Sequence, residues 1–384
     1  MKKVSNNTKL SYSINKLLNS EPSFPSTRKN KDWINYGSDN QFPQYIINLN
    51  NSSAINKAIL DSKVTYLCGD GVDDNEYVGQ PNITDSWDRF IEKVAKDYIQ
   101  FAGFAFQVVM NEDGTSCSLF HTDFSTVRCG EYDEYGRIQK YYISNDWKRT
   151  NGRLAPVEVD AWGIETPQKG KIYMYYYTDY QSGLQYYPIP SYFSAINYIE
   201  ADGLLGEFYR NSINNGFTPS VIISMPANPS DEEKEQFQND MERNFTGSKG
   251  ASTFMVLWGE SEEIKPNITS FNASNNADIY NNVKNQIFQE IVSAHRLSSP
   301  TLAGVSSSSN LGGASNELIS AFILYSQTVI RQLQNNILDV LNQFLLMNGY
   351  KTKLRIKPLK VVDEWKEVNT SNTSDTEKTN EGEN

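Results

Sequence analysis

The sequence predicts an α+β protein with an antiparallel β-layer and a smaller α/β segment set among helices. Three observations support this class. Apolar residues recur at helical spacing on both sides of residues 103–187. Short β-prone runs separated by turn signals fill that stretch, and a strand–helix–strand pattern follows it. The chain has 384 residues, of which 38% are hydrophobic and 21% are charged, so it can build a sizeable core.

The elements of the first half follow from local patterns. Residues 1–32 are polar and are expected to form an extended or partly disordered arm. Apolar residues at helical spacing predict a helix over residues 54–67, which ends at a Gly-Asp-Gly turn signal, and a second helix over residues 84–99. Between residues 103 and 187, hairpin turn signals predict a meander-like antiparallel layer.

The second half begins with a helix that follows Pro190 and ends at Asn214-Asn215-Gly216. An α/β insertion comes next, with a strand near residues 220–224, a helix opened by the capping box at Ser230 and a strand over residues 253–258. A helix over residues 276–296 then carries an apolar stripe and is roughly 30 Å long.

A polar, Gly/Ser-rich stretch over residues 298–315 is too long for a tight connection, and loops of this length are usually functional or disordered. A long helix follows, with Leu318, Val329 and Leu333 among the residues of one apolar face, and ends near Asn348-Gly349. A short strand is expected over residues 353–357. The remaining chain is polar and acidic and is expected to be disordered.

The charge balance limits what the protein could bind. The chain has 35 Lys and Arg against 46 Asp and Glu, a net charge of −11. Tight binding of nucleic acid relies on clusters of Lys and Arg, so this balance fits a conduit through which DNA slides better than a clamp. No stretch approaches the roughly 20 apolar residues that span a bilayer, and the start lacks the apolar part of a signal peptide. These features predict a cytoplasmic protein.

Motifs that carry catalysis are not found in the sequence. It contains neither a phosphate-binding Gly-x-x-x-x-Gly-Lys-Ser/Thr loop nor a Gly-x-Ser-x-Gly elbow. With only His121 and His295, a three-histidine metal site is excluded, and His295 is expected at the surface or an interface. The odd number of cysteines favours three small buried residues over a disulfide framework or a zinc site: Cys68, Cys117 and Cys129. We therefore expect no catalytic residue, metal or cofactor.

The Tyr-rich segment Tyr173–Tyr177 has two interpretations. Its rings could stack on nucleic-acid bases, as aromatic platforms do. No basic stripe accompanies it, so packing within a strand or at a subunit interface is favoured.

Three stretches of the sequence resemble portal proteins of long non-contractile-tailed bacteriophages. The first is residues 33–43 with residues 51–71, which look like the amino-terminal segment of portals from phages of Bacteroidetes-type hosts. The second, residues 207–220, is similar to the family's helix that ends in Asn-Gly and a proline. The third, residues 287–304, resembles the second stem helix and the Pro-containing turn after it. The resemblance extends over roughly residues 33–357.

The resemblance implies a phage portal fold divided into wing, stem, clip, tunnel loop and tunnel helix, with a crown that is minimal or absent. The implied regions are an N-terminal arm (1–32), the wing (33–188), stem helix 1 (189–216), the clip (217–275), stem helix 2 (276–297), the tunnel loop (298–316), the tunnel helix with its return to the wing (317–358) and a disordered acidic tail (359–384).

The implied function is that of a ring of twelve copies at one capsid vertex of the virion, through which double-stranded DNA passes during packaging and ejection. The implied partners are the terminase large subunit, a head-completion or adaptor protein and the major capsid protein, without a membrane. The alternatives are another structural phage protein, such as an adaptor or tail component, and a DNA-processing packaging enzyme. The implied sites are a tunnel loop lining the channel (Ser306, Ser307, Ser308, Ser309, Asn310, Gly312, Gly313), stem packing residues (Phe208, Ile213, Ile279, Val283, Ile287, Ile291) and clip residues (Val221, Ile223, Phe254, Val256, Trp258).

Overall fold

The computed structural model describes residues 32–73, 78–214, 221–225, 254–258, 267–270, 277–304 and 315–359, and the single residues 230, 232 and 236. It is an α+β fold that divides into two compact units. The smaller unit consists of Ser52–Ala54 and Ile196–Ile291, and the larger unit contains the rest of the chain. The helices and strands in chain order are α1 Phe42–Ser52, α2 Ala54–Cys68, α3 Trp87–Phe101, β1 Gly103–Met110, β2 Cys117–Thr122, β3 Val127–Cys129, β4 Lys140–Ile143, β5 Val157–Ala161, β6 Ile172–Thr178, α4 Ile196–Asn214, β7 Val221–Met225, β8 Phe254–Trp258, β9 Asn267–Ser270, α5 Ala277–Ala294, α6 Ser315–Tyr325 and α7 Arg331–Met347.

Local chemistry sets the ends of the first helices. Helix α2 coincides with the predicted helix, and the positive φ of Gly69 (54°) follows its last residue. Helix α3 begins at Trp87 because the Ser86 hydroxyl accepts a hydrogen bond from the backbone N–H of Arg89 (3.3 Å). Helix α1 was not predicted, although its buried residues include Ile46 and Leu49 at helical spacing.

The sheet of the larger unit departs from the predicted antiparallel meander at one junction. Its strand order is β2-β1-β6-β5-β4-β3, and β5 and β6 pair in parallel while the other four pairings are antiparallel. Strand β6 is therefore inserted beside β1. This position suits β6 because it carries aromatic rings on both faces: Tyr175 stacks on Phe106 (4.9 Å between centroids), and Tyr176 stacks on Phe124 (5.0 Å).

The long last helix is interrupted by a π-helical turn over Ser326–Ile330, which joins α6 to α7. A π turn accommodates one extra residue and shifts the face that follows. Val329 was predicted to be buried, but the buried position falls on Ile330 instead. Leu318, also on the predicted buried face, is 38% exposed. The predicted face of this helix was therefore correct only in part.

The predicted strand over residues 353–357 is replaced by a single β-bridge between Val72 and Ile356. The backbone N–H of Asp70 donates to the carbonyl of Lys357 (2.9 Å), and Lys357 N–H donates to Gly71 (2.8 Å). Gly69 permits this close approach, because a Cβ there would lie 2.3 Å from the Lys357 carbonyl oxygen. Lys357 is thereby held beside the carboxyl end of α2.

The smaller unit contains α4, most of α5 and a three-stranded sheet in the order β8-β7-β9. Strands β7 and β8 are parallel, β7 and β9 are antiparallel, and β9 was not predicted. Most of the helix predicted after Ser230 lies outside the described residues. At the start of this unit, the Ser53 hydroxyl donates to Asp202 (2.6 Å), which ties Ser52–Ala54 to α4.

Two general expectations can be compared with the described residues. Cys117 and Cys129 are buried as predicted, but Cys68 is half-buried because it is the last residue of α2; all three are free thiols. Within the part of the chain that the structure describes, no helix is both long and apolar enough to cross a membrane.

Candidate functional site

The predicted channel-lining residues lie outside the described residues, but both ends of their loop are described. These residues are Ser306, Ser307, Ser308, Ser309, Asn310, Gly312 and Gly313. The described chain stops at Gly304 and resumes at Ser315, the first residue of α6. We refer to residues 295–304, together with the residues of α2 and α6 that contact them, as the loop base.

Two hydrogen bonds hold the loop base to neighbouring helices. The Tyr66 hydroxyl on α2 donates to the carbonyl of Leu302, and the Ser298 hydroxyl donates to the carbonyl of Ala321 on α6 (2.7 Å). The Tyr66 ring also meets Phe322 and Tyr325 edge-on, with centroids 5.3 and 6.3 Å apart. One tyrosine of α2 therefore contacts the chain on both sides of the loop.

The carboxyl end of α5 turns sharply into the loop base. Arg296 adopts a left-handed conformation (φ 56°), and its N–H donates to Ser293 (2.9 Å). The N–H of Leu297 donates to Val292 (3.2 Å), and these two bonds together form a Schellman cap. Leu297 and Val292 are both buried, as the apolar contact of this cap requires. The cap sets the direction of His295.

His295 lies in a buried hydrogen-bonded network, which corrects the expectation of a surface or interface position. Its side chain is 1% exposed; Nε2 lies 2.7 Å from Asn56 Oδ1, and the ring stacks on Tyr192 at 4.8 Å. Asn56 donates to Asn50 (2.8 Å), and Asn50 donates to the Tyr192 hydroxyl (2.8 Å). The ring is buried because the Schellman cap turns it inward, where α2 supplies a buried polar partner.

The charges of the loop base are unbalanced among the described residues. Lys63 is 5% exposed on the same face of α2 as Asn56, two turns further along. Burial, and to a smaller extent the nearby Arg296 guanidinium, lowers the pKa of Lys63 to about 7. Burial and Lys63 hold the pKa of His295 well below its usual range, so this imidazole is neutral at pH 7.

The polar residues of α2 were not predicted as a site, although a signal was present. Lys63 falls within the apolar stripe of α2, between Ile59 and Leu67, and Asn56 lies seven residues before it. A lysine and an asparagine on the buried face of a helix indicate buried polar partners. The sequence shows that two polar residues lie on the buried face of α2, but it does not identify His295 as the partner of Asn56.

The predicted stem residues fall into three groups. Ile287 and Ile291 on α5 are buried, whereas Phe208 on α4 and Val283 on α5 are 44% and 41% exposed. Ile213 and Ile279 belong to α4 and α5, but their side chains lie outside the description. The smaller unit therefore carries exposed apolar side chains on two helices.

The predicted clip residues belong to two paired strands. Val221 and Ile223 lie on β7, and their register partners on β8 are Phe254 and Val256. Trp258 ends β8 opposite Met225. The five predicted residues therefore come together in one small sheet, although their side-chain contacts lie outside the description.

The rings of the Tyr-rich segment stack on neighbours within the sheet, which supports its interpretation as packing within a strand. Tyr177 stacks on Phe104 (4.7 Å), and Tyr176 stacks on Tyr141 (4.9 Å) in addition to Phe124. Their stacking area is thus used within the sheet, as is typical of aromatic residues in a packed strand.

Two further features of the described ranges bear on catalysis: clusters of metal-binding side chains and a surface groove. These ranges contain no group of three or more His, Cys, Asp or Glu side chains placed to hold a metal ion, and His121 pairs with Asp97 (2.9 Å). A groove of about 460 Å³ over β5 and β6 includes Lys171, which is paired with Asp160 (2.7 Å) and with Glu165. Its lysine is therefore occupied by carboxylates and is not available as a base.

The fold is shared with chains of gene transfer agent (GTA) particles. A chain in the virion of the native GTA particle matches with a TM-score of 0.53 and 13% identity, over 82% of this chain and 83% of that chain. A chain in the neck of the empty particle, computed with C6 symmetry, matches with a TM-score of 0.54 and 13% identity, over 82% and 84%. A chain in the neck of the native particle, computed with C12 symmetry, matches with a TM-score of 0.53 and 14% identity, over 82% and 84%. No protein-family model and no curated protein matches the sequence.

Proposed function

We propose that this chain is a structural protein of the head–tail junction of a phage-like particle, and specifically its portal. The observation that carries the proposal is the match of fold over 82% of the chain to chains in particle necks, one of them computed with C12 symmetry. The proposal also draws on the order of two long helices, an intervening small sheet and a loop followed by a long helix. In it, residues 33–188 form the wing, residues 217–275 form the clip, and residues 317–358 form the tunnel helix with its return to the wing.

The mechanism follows from a rigid base and a loop of small side chains. Tyr66 and Ser298 hold the loop base, while residues 305–314 contain neither Lys nor Arg. Ser and Asn side chains contact phosphates without the counterion release that makes Lys and Arg contacts tight. Twelve copies would carry a total charge of about −130, which also disfavours retention of the duplex. In this mechanism DNA slides, and a separate ATPase drives packaging.

Ring formation has a physical basis in the smaller unit. Phe208 and Val283 are large apolar side chains that are more than 40% exposed in the single chain. A heterologous contact that buries them against the next copy and closes on itself gives a ring. The clip would then contact the terminase large subunit during packaging and a head-completion or adaptor protein afterwards, and the wing would contact the major capsid protein.

Native mass spectrometry and top views by electron microscopy test the assembly. A closed ring of about twelve copies with a central opening is expected for a portal. A monomer, or a ring without a central opening, would contradict the portal assignment and favour an adaptor or tail component. A clear metal-dependent cleavage of DNA by the purified protein would instead support the DNA-processing alternative.

The loop assignment has its own test. Deleting Ser306–Gly313 should leave ring assembly intact while DNA packaging or retention falls, because the loop base is anchored independently of the loop tip. A variant in which the same eight residues are scrambled is the matched control, since it preserves length and composition. Loss of ring formation in the deletion variant would overturn the assignment of this loop to the channel.

A further inference from the structure

The connection between β4 and β5, residues 144–156, is a basic segment of an acidic chain, and we refer to it as the basic loop. It contains one acid, Asp146, and three exposed cations, Lys148, Arg149 and Arg153. Asp146 accepts from the Lys148 backbone N–H (2.9 Å) and lies 3.8 Å from the Arg149 guanidinium, whose side chain is 81% exposed. Lys148 and Arg153 pair with no carboxylate of the described chain. The loop therefore presents positive charge that the described residues leave largely uncompensated.

Buried contacts hold the basic loop against the sheet. Trp147 is 6% exposed, and its indole N–H donates to the Thr126 carbonyl (2.9 Å). Its ring meets Trp33 edge-on, with centroids 5.2 Å apart, and lies 4.7 Å from the Arg128 guanidinium. A single 3-10 turn over Gly152–Leu154 shapes the other half of the loop. Because the loop is held in place before a partner binds, the entropic cost of ordering it on binding is low.

The basic loop begins and ends at an apolar groove. Ile143, the last residue of β4, and Val157, the first residue of β5, are register partners, and both line the groove of about 460 Å³ over β5 and β6. Val159 and Ile172 also line it, and Val157 and Ile172 are 63% and 44% exposed. Leu154, in the loop itself, is 43% exposed. Apolar and positive groups therefore adjoin on one surface.

The charges in and beside the groove are paired with one another. Glu158 pairs with Lys140, and Asp160 pairs with Lys171 (2.7 Å), which also pairs with Glu165. These three carboxylates and two ammonium groups have a net charge of −1, whereas the basic loop carries +2. Because the charges of the groove are already matched, the unmatched cations of the loop decide which partner the surface attracts.

The chain's own amino-terminal segment is not a suitable occupant. Residues 1–31 are joined through Asp32 to Trp33, whose ring contacts Trp147. They contain seven Lys and Arg against one Glu. Since like charges repel, the surface favours a carboxylate-bearing segment of another protein.

We propose that the basic loop and the adjoining groove form a docking surface for an acidic segment of a partner protein. Carboxylates of that segment pair with Lys148, Arg149 and Arg153, and an apolar side chain occupies the groove beside Val157 and Ile172. A phosphate backbone would satisfy the cations but would leave the groove empty, whereas protein interfaces combine an apolar centre with a polar rim. This inference does not depend on the proposed function.

Fluorescence anisotropy in the full-length protein tests the charged part of the surface. The probe is a labelled peptide of about 12 residues that alternates Glu and Leu. It should bind the parent protein, and combining Lys148→Glu, Arg149→Glu and Arg153→Glu should raise the dissociation constant at least about tenfold. An exposed ion pair contributes up to a few-fold in affinity, and the three substitutions replace three such pairs by repulsion. Absence of binding to the parent protein would overturn the proposal.

The matched control changes three exposed cations elsewhere in the chain. Combining Lys351→Glu, Lys353→Glu and Arg355→Glu gives the same change in net charge, and these side chains are also exposed. The dissociation constant should then change by less than about threefold, because charges far from a site are screened by salt. Equal weakening by both sets of substitutions would reflect net charge alone and would overturn the proposal.

The groove has its own test. Combining Val157→Thr with Ile172→Thr keeps the β-branched shape of both side chains but replaces apolar groups by hydroxyls. Binding of the Glu–Leu peptide should weaken several-fold, whereas the weaker binding of a Glu–Ser peptide of the same length and charge should not change. Equal effects on the two peptides would contradict the role of the groove.

Hydrogen exchange and competition distinguish the other occupants. Peptides covering residues 144–161 should exchange more slowly when the Glu–Leu peptide is bound, and protection confined to another region would overturn the proposal. Displacement of the bound peptide by duplex DNA of the same charge would assign the cations to a phosphate backbone. Self-association of the parent protein that is lost on substitution of Lys148, Arg149 and Arg153 would assign the surface to a second copy; either result overturns the proposal.

Discussion

Asn56→Leu removes the central member of the network that holds the end of α5. The Asn56 side chain is fully buried, accepts from His295 through Oδ1 and donates to Asn50 through Nδ2. Leucine has a similar size and a high helix propensity, so α2 itself should tolerate the change. The substitution therefore tests the hydrogen bonds more directly than it tests the packing.

The expected cost follows from the groups that lose their partners. His295 Nε2 and Asn50 Oδ1 both remain buried after the substitution, and each unsatisfied group costs about 1–3 kcal/mol. The sum is about 2–6 kcal/mol, which corresponds to a change of roughly 30-fold to 10⁴-fold in the opening equilibrium of this region. This exceeds the effect of most single substitutions in proteins.

Native-state hydrogen exchange followed by mass spectrometry measures this opening locally. Peptides that cover residues 54–68 and 292–304 should exchange faster by the stated factor, whereas peptides of β1 and β6 should change less. Asn335→Leu is the matched control, because Asn335 is exposed on helix α7 and its replacement should change stability by less than about 0.5 kcal/mol. If Asn56→Leu accelerates exchange in both peptides by less than about threefold, the network does not stabilise the loop base.

Three further predictions concern other parts of the molecule. Arg128→Met should lower the free energy of unfolding by about 3–5 kcal/mol in chemical denaturation, because the fully buried guanidinium donates to Asn40 and to the Ser125 and Val127 carbonyls. Ser116→Ala should raise the pKa of Asp113 from about 2 towards its ordinary value in an NMR titration, because the Ser116 hydroxyl is the main cause of the depressed pKa. In the parent protein the Asp113 carboxylate stabilises the hairpin of β1 and β2 above pH 3.8, and this contribution to stability is lost as the pH falls towards 2. Phe208→Glu should leave monomer stability unchanged within about 0.5 kcal/mol but reduce ring formation in native mass spectra. Tyr180→Glu, at a residue that is 91% exposed, should not reduce ring formation, and an intact ring of the Phe208→Glu variant would contradict the stem contact.

Local signals in the sequence decide where the first helices begin and end. Helix α2 ends at Cys68 because glycine follows, with a backbone conformation that few other residues adopt. The start of helix α3 was predicted three residues too early, at residue 84; the helix begins at Trp87 because the Ser86 hydroxyl caps it. The exposed polar turns and the short aromatic strands were also predictable, since they depend on neighbours within a few residues.

Contacts between distant residues decided the rest. Strand β6 pairs with β1 and β5 because its aromatic faces find partners on both sides, which alternation along the chain cannot specify. The shift from Val329 to Ile330 requires a π turn that no periodicity announces. The loop base depends on His295 and Asn56, which are 239 residues apart in the chain. The sequence by itself determined which residues each element tends to bury, but only the tertiary structure decided which partners they meet, because that choice depends on the packing and hydrogen bonding of distant segments.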